Sequence, residues 1–123
     1  MSDSRNYDTV AFDVRDNATM LFFAKTTDTG DIGEYLLLMR AEGEEYDDAV
    51  YIEINEQQYS GHDKIQEARL TGNMLTLELR EPAAELDGVS EIVFTYDETP
   101  ENQASVEAGI IRVLGSTLAG GNA

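Results

Sequence analysis

Cysteine is absent from this chain of 123 residues, so neither a disulfide framework nor thiolate chemistry is open to it. The chain has a single histidine, His62, and a soft-donor metal site of the zinc type therefore lacks its ligands. Positive charge is scarce. Eight Lys and Arg stand against 25 Asp and Glu, a net charge of −17, and just two of the eight are lysines, Lys25 and Lys64. Phosphate backbones and anionic lipids are held by Lys and Arg, so nucleic acid and membrane surfaces are excluded as partners. No apolar run approaches the roughly 20 residues of a membrane span. The opening MSDSRNYD lacks the basic-then-apolar order of a secretory signal, which makes the cytoplasm the expected compartment.

What is present is enough for a folded core. Apolar residues make up 41% of the chain, which separates it from charged disordered chains. The length fits one domain over residues 1–123, with 1–7 and 119–123 expected as flexible ends. The negative charge attracts basic proteins or cations and speeds encounter with them. It also has two bland explanations: solubility of the dispersed chain, and adaptation to high salt, which the shortage of lysine would suit.

Period-two alternation places the strands. Val10, Phe12 and Val14 alternate with more polar neighbours, and a second strand at 20–24 pairs with them across the turn residues Asp16 and Asn17. Residues 35–39, Tyr-Leu-Leu-Leu-Met, are apolar on both faces and predict a central strand covered on both sides. Val50, Ile52 and Ile54 alternate with Tyr51, Glu53 and Asn55, a strand with one buried and one wet face. Residues 57–63 read as irregular. Gly72-Asn73 predicts a two-residue hairpin turn ahead of Leu75, Leu77 and Leu79. One helical turn is expected at 82–86 and a last strand through Ile92, Phe94 and Tyr96. A helix is predicted over 100–118, with an apolar stripe of Val106, Ile110, Val113, Leu114 and Leu118, although Gly109 and Gly115 argue against it. The expected fold is α+β: a mostly antiparallel curved sheet with the C-terminal helix packed on one face.

Catalytic motifs fail on chemistry. Ser60, His62 and Asp63 lie too close in sequence to form a triad, whose members come from separate elements. Asp28, Asp31 and Glu34 share a glycine-containing loop, but Gly30 and Ile32 occupy the third and fifth positions where a calcium loop needs oxygen ligands, so the segment reads as a turn. No metal or cofactor is expected. The strongest constellation is Glu42, Glu44, Glu45, Asp47 and Asp48, followed by Glu53 and Glu56. Carboxylates this dense repel one another. With Tyr51, Tyr59 and His62 beside them they make a candidate partner-binding surface, since tyrosine supplies anchor area and carboxylates meet Arg and Lys. A plain solvated loop is the alternative.

At this strand and hairpin the chain resembles a known family. The run Val50-Tyr51-Ile52-Glu53-Ile54-Asn55-Glu56-Gln57, the loop at Gly61, and the segment 65–79 ending in alternating leucines are similar to the bacterial Immunity protein 10 family. The resemblance spans roughly residues 34–118 and rests on strand patterns. It implies an antitoxin of a polymorphic toxin system, resident in the producer's cytoplasm and bound to a cognate toxin domain. No catalytic residue comes with it. Two other readings stand beside it: a small enzyme or ligand-binding domain using clustered carboxylates, and a subunit of an oligomer.

Overall fold

The computed structural model describes residues 2–15, 18–41, 50–55 and 59–114. Among the described residues nine strands precede one helix: β1 Ser2–Tyr7, β2 Thr9–Arg15, β3 Ala18–Thr26, β4 Ile32–Ala41, β5 Tyr51–Ile54, β6 Tyr59–His62, β7 Ile65–Thr71, β8 Met74–Ala83, β9 Val89–Tyr96 and α1 Pro100–Leu114. A short 3-10 turn at Ala84–Leu86 links β8 to β9, where a helical turn was expected. The strands divide into two sheets, ordered β1-β9-β8-β7 and β2-β3-β4-β5-β6. Every pairing is antiparallel except β1 with β9. The mostly antiparallel α+β architecture with a C-terminal helix is therefore present, but as two layers where the sequence reading anticipated one sheet.

The inner faces follow the alternation. Leu21, Phe23, Leu36, Leu38, Ile52 and Ile54 of the five-stranded sheet are buried with Leu75, Leu77, Ile92 and Phe94 of the other. Aromatic rings join the layers. Phe23 of the five-stranded sheet meets Phe94 edge-on at 4.8 Å between centroids and Tyr7 at 6.3 Å, both on the other sheet. Such pairs add about 0.5–1.5 kcal/mol to the burial of their surface.

Residues 2–7, anticipated as a flexible polar lead-in, form β1. Their composition carries no apolar alternation. The strand is specified from outside, by backbone pairing along β9 from Ser2 opposite Glu91 to Tyr7 opposite Tyr96, with Tyr7 as its buried anchor. Residues 59–62, read as irregular, form β6 on the same principle, paired with β5. In both places partner strands override weak local signals.

The chain changes sheets at two aspartates. Between β1 and β2, the Asp8 carboxylate accepts hydrogen bonds from the Thr9 hydroxyl (2.7 Å) and from the Thr26 amide and hydroxyl (both 3.0 Å). The Thr9 bond, followed by the Thr26 amide, holds that carboxyl below its usual range. Between β6 and β7, Asp63 turns the chain with φ 58° and its amide donates to the Val50 carbonyl at 3.1 Å.

Helix α1 begins as its first residues dictate. Thr99 caps it, accepting from the Asn102 amide at 3.1 Å, and Pro100 occupies the first helical position. Val106, Ile110, Val113 and Leu114 are buried, four of the five stripe residues, while Leu118 lies outside the described residues. Gly109 is the reason the helix can sit close to the sheet. A Cβ there would stand 2.5 Å from the Phe12 ring and 3.1 Å from Leu21, so the residue that argued against the helix is what permits its packing.

Asn102, 4% exposed, ties the helix to the start of β2. Its Oδ1 accepts from the Val10 amide (2.8 Å) and its Nδ2 donates to the carbonyls of Asp8 (3.0 Å) and Asp97 (2.8 Å). One side-chain amide thus satisfies three backbone groups where β2 begins, β9 ends and the helix starts.

Candidate partner-binding surface

Strand register decides which side chains share the outer face of the five-stranded sheet. Leu37 of β4 sits between Phe22 of β3 and Glu53 of β5, and Met39 sits between Met20 and Tyr51. Tyr35, on the same face, stacks on Phe22 with centroids 5.4 Å apart. All seven side chains are half-buried. Among the described residues no element packs over them; the helix and the second sheet lie on the opposite side. Strand β4, expected to be covered on both faces, is covered on one by the described elements.

Glu53 is the one carboxylate among these seven. The Tyr51 hydroxyl donates to its Oε1 at 2.7 Å and the Tyr35 hydroxyl donates to its Oε2. Two donors from two strands fix the carboxylate plane on the sheet surface. The bond to Glu53 also pushes the Tyr51 phenol above its ordinary pKa, reinforced by partial burial and by the charge of Glu53 itself. His62 at the end of β6 lies across from Tyr51, ring centroids 5.0 Å apart. Beyond Tyr35, Ile32 is 55% exposed and borders an open cleft of about 520 Å³ with Phe22 and Asn55.

The candidate residues from the sequence are distributed unevenly. Tyr51, Glu53 and His62 come together on this face. Tyr59 points the other way: it is 4% exposed, and burial, followed by the charges of Glu85 and Glu81, raises its phenol pKa. Glu42, Glu44, Glu45, Asp47, Asp48 and Glu56 lie outside the described residues. Phe22, Tyr35, Leu37, Met39 and Met20 were not singled out. The available signal was the apolar-on-both-faces composition of residues 35–39, which marks a strand needing cover from something besides its own core.

A second concavity, of about 390 Å³, lies where β6 meets the end of β8, with Tyr59 at its base and Asp63, Lys64, Arg80 and Glu81 around it. Asp63 is engaged by Arg80 at 3.1 Å. Among the described residues no group of three or more acidic or histidine side chains is placed to hold a metal ion. The 28–31 segment is a turn closed by the Thr27 amide on the Asp31 carbonyl at 2.7 Å, with the Asp31 carboxylate accepting from the Thr29 hydroxyl at 3.0 Å. No described helix is long and apolar enough to cross a membrane.

Comparison with family models matches the chain to Immunity protein 10 over residues 6–104. The chain belongs to that family. The match takes in the N-terminal hairpin, on which the resemblance over 34–118 did not draw, and it runs through all three strands that build the half-buried face. No curated protein matches the chain. Immunity protein 10 is a family of immunity proteins, which implies a toxin protein as the partner.

Proposed function

We propose that this protein neutralises a cognate bacterial toxin by stoichiometric binding through an acidic surface, with no catalytic step of its own, in the cytoplasm of the toxin's producer. Membership of the immunity family is the observation that carries the reading. The charge supports it physically. A chain at −17 is steered toward a basic partner, and many toxin domains are basic because they act on nucleic acid. The carboxylates whose geometry is described also suit binding better than acid–base chemistry: Glu53 accepts two tyrosine hydroxyls and Asp63 is paired with Arg80.

The test is capture of the toxin domain encoded next to this gene. Mixed at low salt, the two proteins should form a one-to-one complex that abolishes the toxin's activity, with association slowing as salt rises. Absence of any complex would count decisively against the reading. Replacing Glu44, Glu45, Asp47 and Asp48 with amides should slow association while leaving stability equal or slightly higher, as self-repulsion falls. Unaltered kinetics would locate the acidic contribution elsewhere.

A further inference from the structure

We infer that the outer face of the five-stranded sheet is the docking surface, and that its occupant is a basic protein surface presenting an arginine or lysine set among apolar side chains. The inference rests on the proposed function for the identity of the partner as a toxin domain; the chemistry of the occupant comes from the face itself.

Four apolar side chains, Met20, Phe22, Leu37 and Met39, form a two-by-two block in register on β3 and β4. All four are partly open to solvent, and contiguous apolar surface of this kind marks interaction sites. Along the β5 side runs Glu53, held by Tyr51 and Tyr35. An interface centre rich in aromatic and methionine side chains around one oriented charge is the composition that concentrates binding energy. The charge of the chain chooses between occupants. A second copy would bring a further −17 against the first, so self-association through this face is opposed, whereas a cationic partner is drawn to it. A cation arriving at Glu53 meets a carboxylate whose orientation is already set, so little ordering cost remains at that point. The outer face of the four-stranded sheet is more polar: its apolar Met74 and Val93 stand opposite Thr95 and Thr76, Arg69 lies 3.0 Å from Glu67 and 3.2 Å from Glu78, and Asn6 bonds the Thr95 hydroxyl at 2.7 Å.

The experiment compares matched variants of the full chain. Leu37→Glu and Thr76→Glu each add one negative charge, the first on the proposed face and the second on the outer face of β8. Binding to the toxin domain of the neighbouring gene should weaken at least about 30-fold for Leu37→Glu, at least about tenfold for Glu53→Gln, and less than about threefold for Thr76→Glu. Urea unfolding of each variant separates lost binding from lost fold. A second arm needs no toxin. Titration of the isotopically labelled protein with the peptide Ac-Leu-Arg-Leu-amide should shift amide resonances at Phe22, Leu37 and Glu53 ahead of those on β7 and β8.

Toxin binding by Leu37→Glu within threefold of the parent would overturn the docking face while leaving the immunity reading intact. A toxin that fails to bind the parent overturns the immunity reading, and the peptide arm then decides the face alone. Peptide shifts spread evenly over both sheets would overturn it. So would sedimentation showing a parent dimer that Leu37→Glu converts to monomer, because a second copy would then be the occupant.

Discussion

The two sheets of this protein turn equally apolar faces inward and opposite kinds of face outward. On the four-stranded sheet, the outer rows carry Glu67, Arg69, Thr76, Glu78, Glu91 and Thr95 with Met74 and Val93 set among them, and Arg69 bridges Glu67 and Glu78. On the five-stranded sheet, the equivalent positions carry Met20, Phe22, Leu37, Met39 and the tyrosines around Glu53. Both faces sit on the same core, so core packing cannot explain the contrast. A polar outer face is the default of a two-layer antiparallel fold. An apolar one adds aggregation risk without adding to the core, and it persists where something binds it.

The two kinds of face meet within one strand. Leu37 and Leu38 are adjacent on β4, one on the outer face and one on the inner. Leu38 is fully buried, so Leu38→Ala should cost about 2–5 kcal/mol of unfolding free energy in urea. Leu37→Ala should cost less than about 1 kcal/mol, since its site is already half solvated. Equal costs would mean that the outer face belongs to the protein's own packing, and the contrast between the sheets would lose its functional meaning.

This pair also shows what the sequence could reveal. Period two correctly assigned Leu75, Leu77, Leu79, Ile52, Ile54, Ile92 and Phe94 to a core, because each strand has one apolar and one polar face. It had no means of dividing strands between two sheets, since that division depends on the corners at Asp8 and Asp63, whose signals are single residues. Tyr35, Leu37 and Met39 were visible as surplus apolar residues, yet a strand buried on both faces and a strand awaiting a partner have the same composition. Glu53 was selected for its charge, but its orientation by Tyr35 depends on the register of β4 against β5, a pairing across 18 positions of chain. Strand β1 was illegible because its sequence shows no apolar alternation and its specification lies in pairing with β9, at the far end of the sequence.

An open sheet edge leaves backbone groups exposed to unwanted pairing, and Asn102 takes up those at the start of β2. Asn102→Ala leaves the Val10 amide and the Asp8 and Asp97 carbonyls without their partner in a buried place. The expected loss is about 1–3 kcal/mol, together with concentration-dependent aggregation seen by light scattering. Asn102→Asp should be worse at neutral pH than at acid pH. The carboxylate keeps the acceptor for Val10 but faces two carbonyls with no proton to donate.

A smaller effect tests the tyrosine pair that orients Glu53. The phenol of Tyr51 is raised mainly by its bond to Glu53, whereas those of Tyr59 and Tyr96 are raised mainly by burial. A raised phenol pKa means the folded state favours the neutral form. The stability it contributes is complete below the ordinary value of 10.0 and is lost as pH climbs through the folded values. Glu53→Gln should bring the Tyr51 titration back toward that ordinary value, read by NMR of the ring carbons, and leave Tyr59 where it was. If both move together, the shift of Tyr51 comes from burial and the carboxylate is not tied to the tyrosine.

The smallest effect belongs to the polar face. Glu67, Glu78 and Glu91 line up across β7, β8 and β9, and Arg69 serves the first two of them. Glu91 stands directly opposite Glu78 as a like charge, an arrangement that costs a few tenths of a kcal/mol. Glu91→Lys turns that repulsion into a cross-strand pair, so it should raise stability by about 0.5 kcal/mol at low salt, with the gain shrinking as salt screens it. Its effect on toxin binding should come only through the change in net charge, as a modestly slower association with dissociation unaltered. Faster dissociation would place the polar face inside the interface, and the two outer faces could no longer be assigned separate roles.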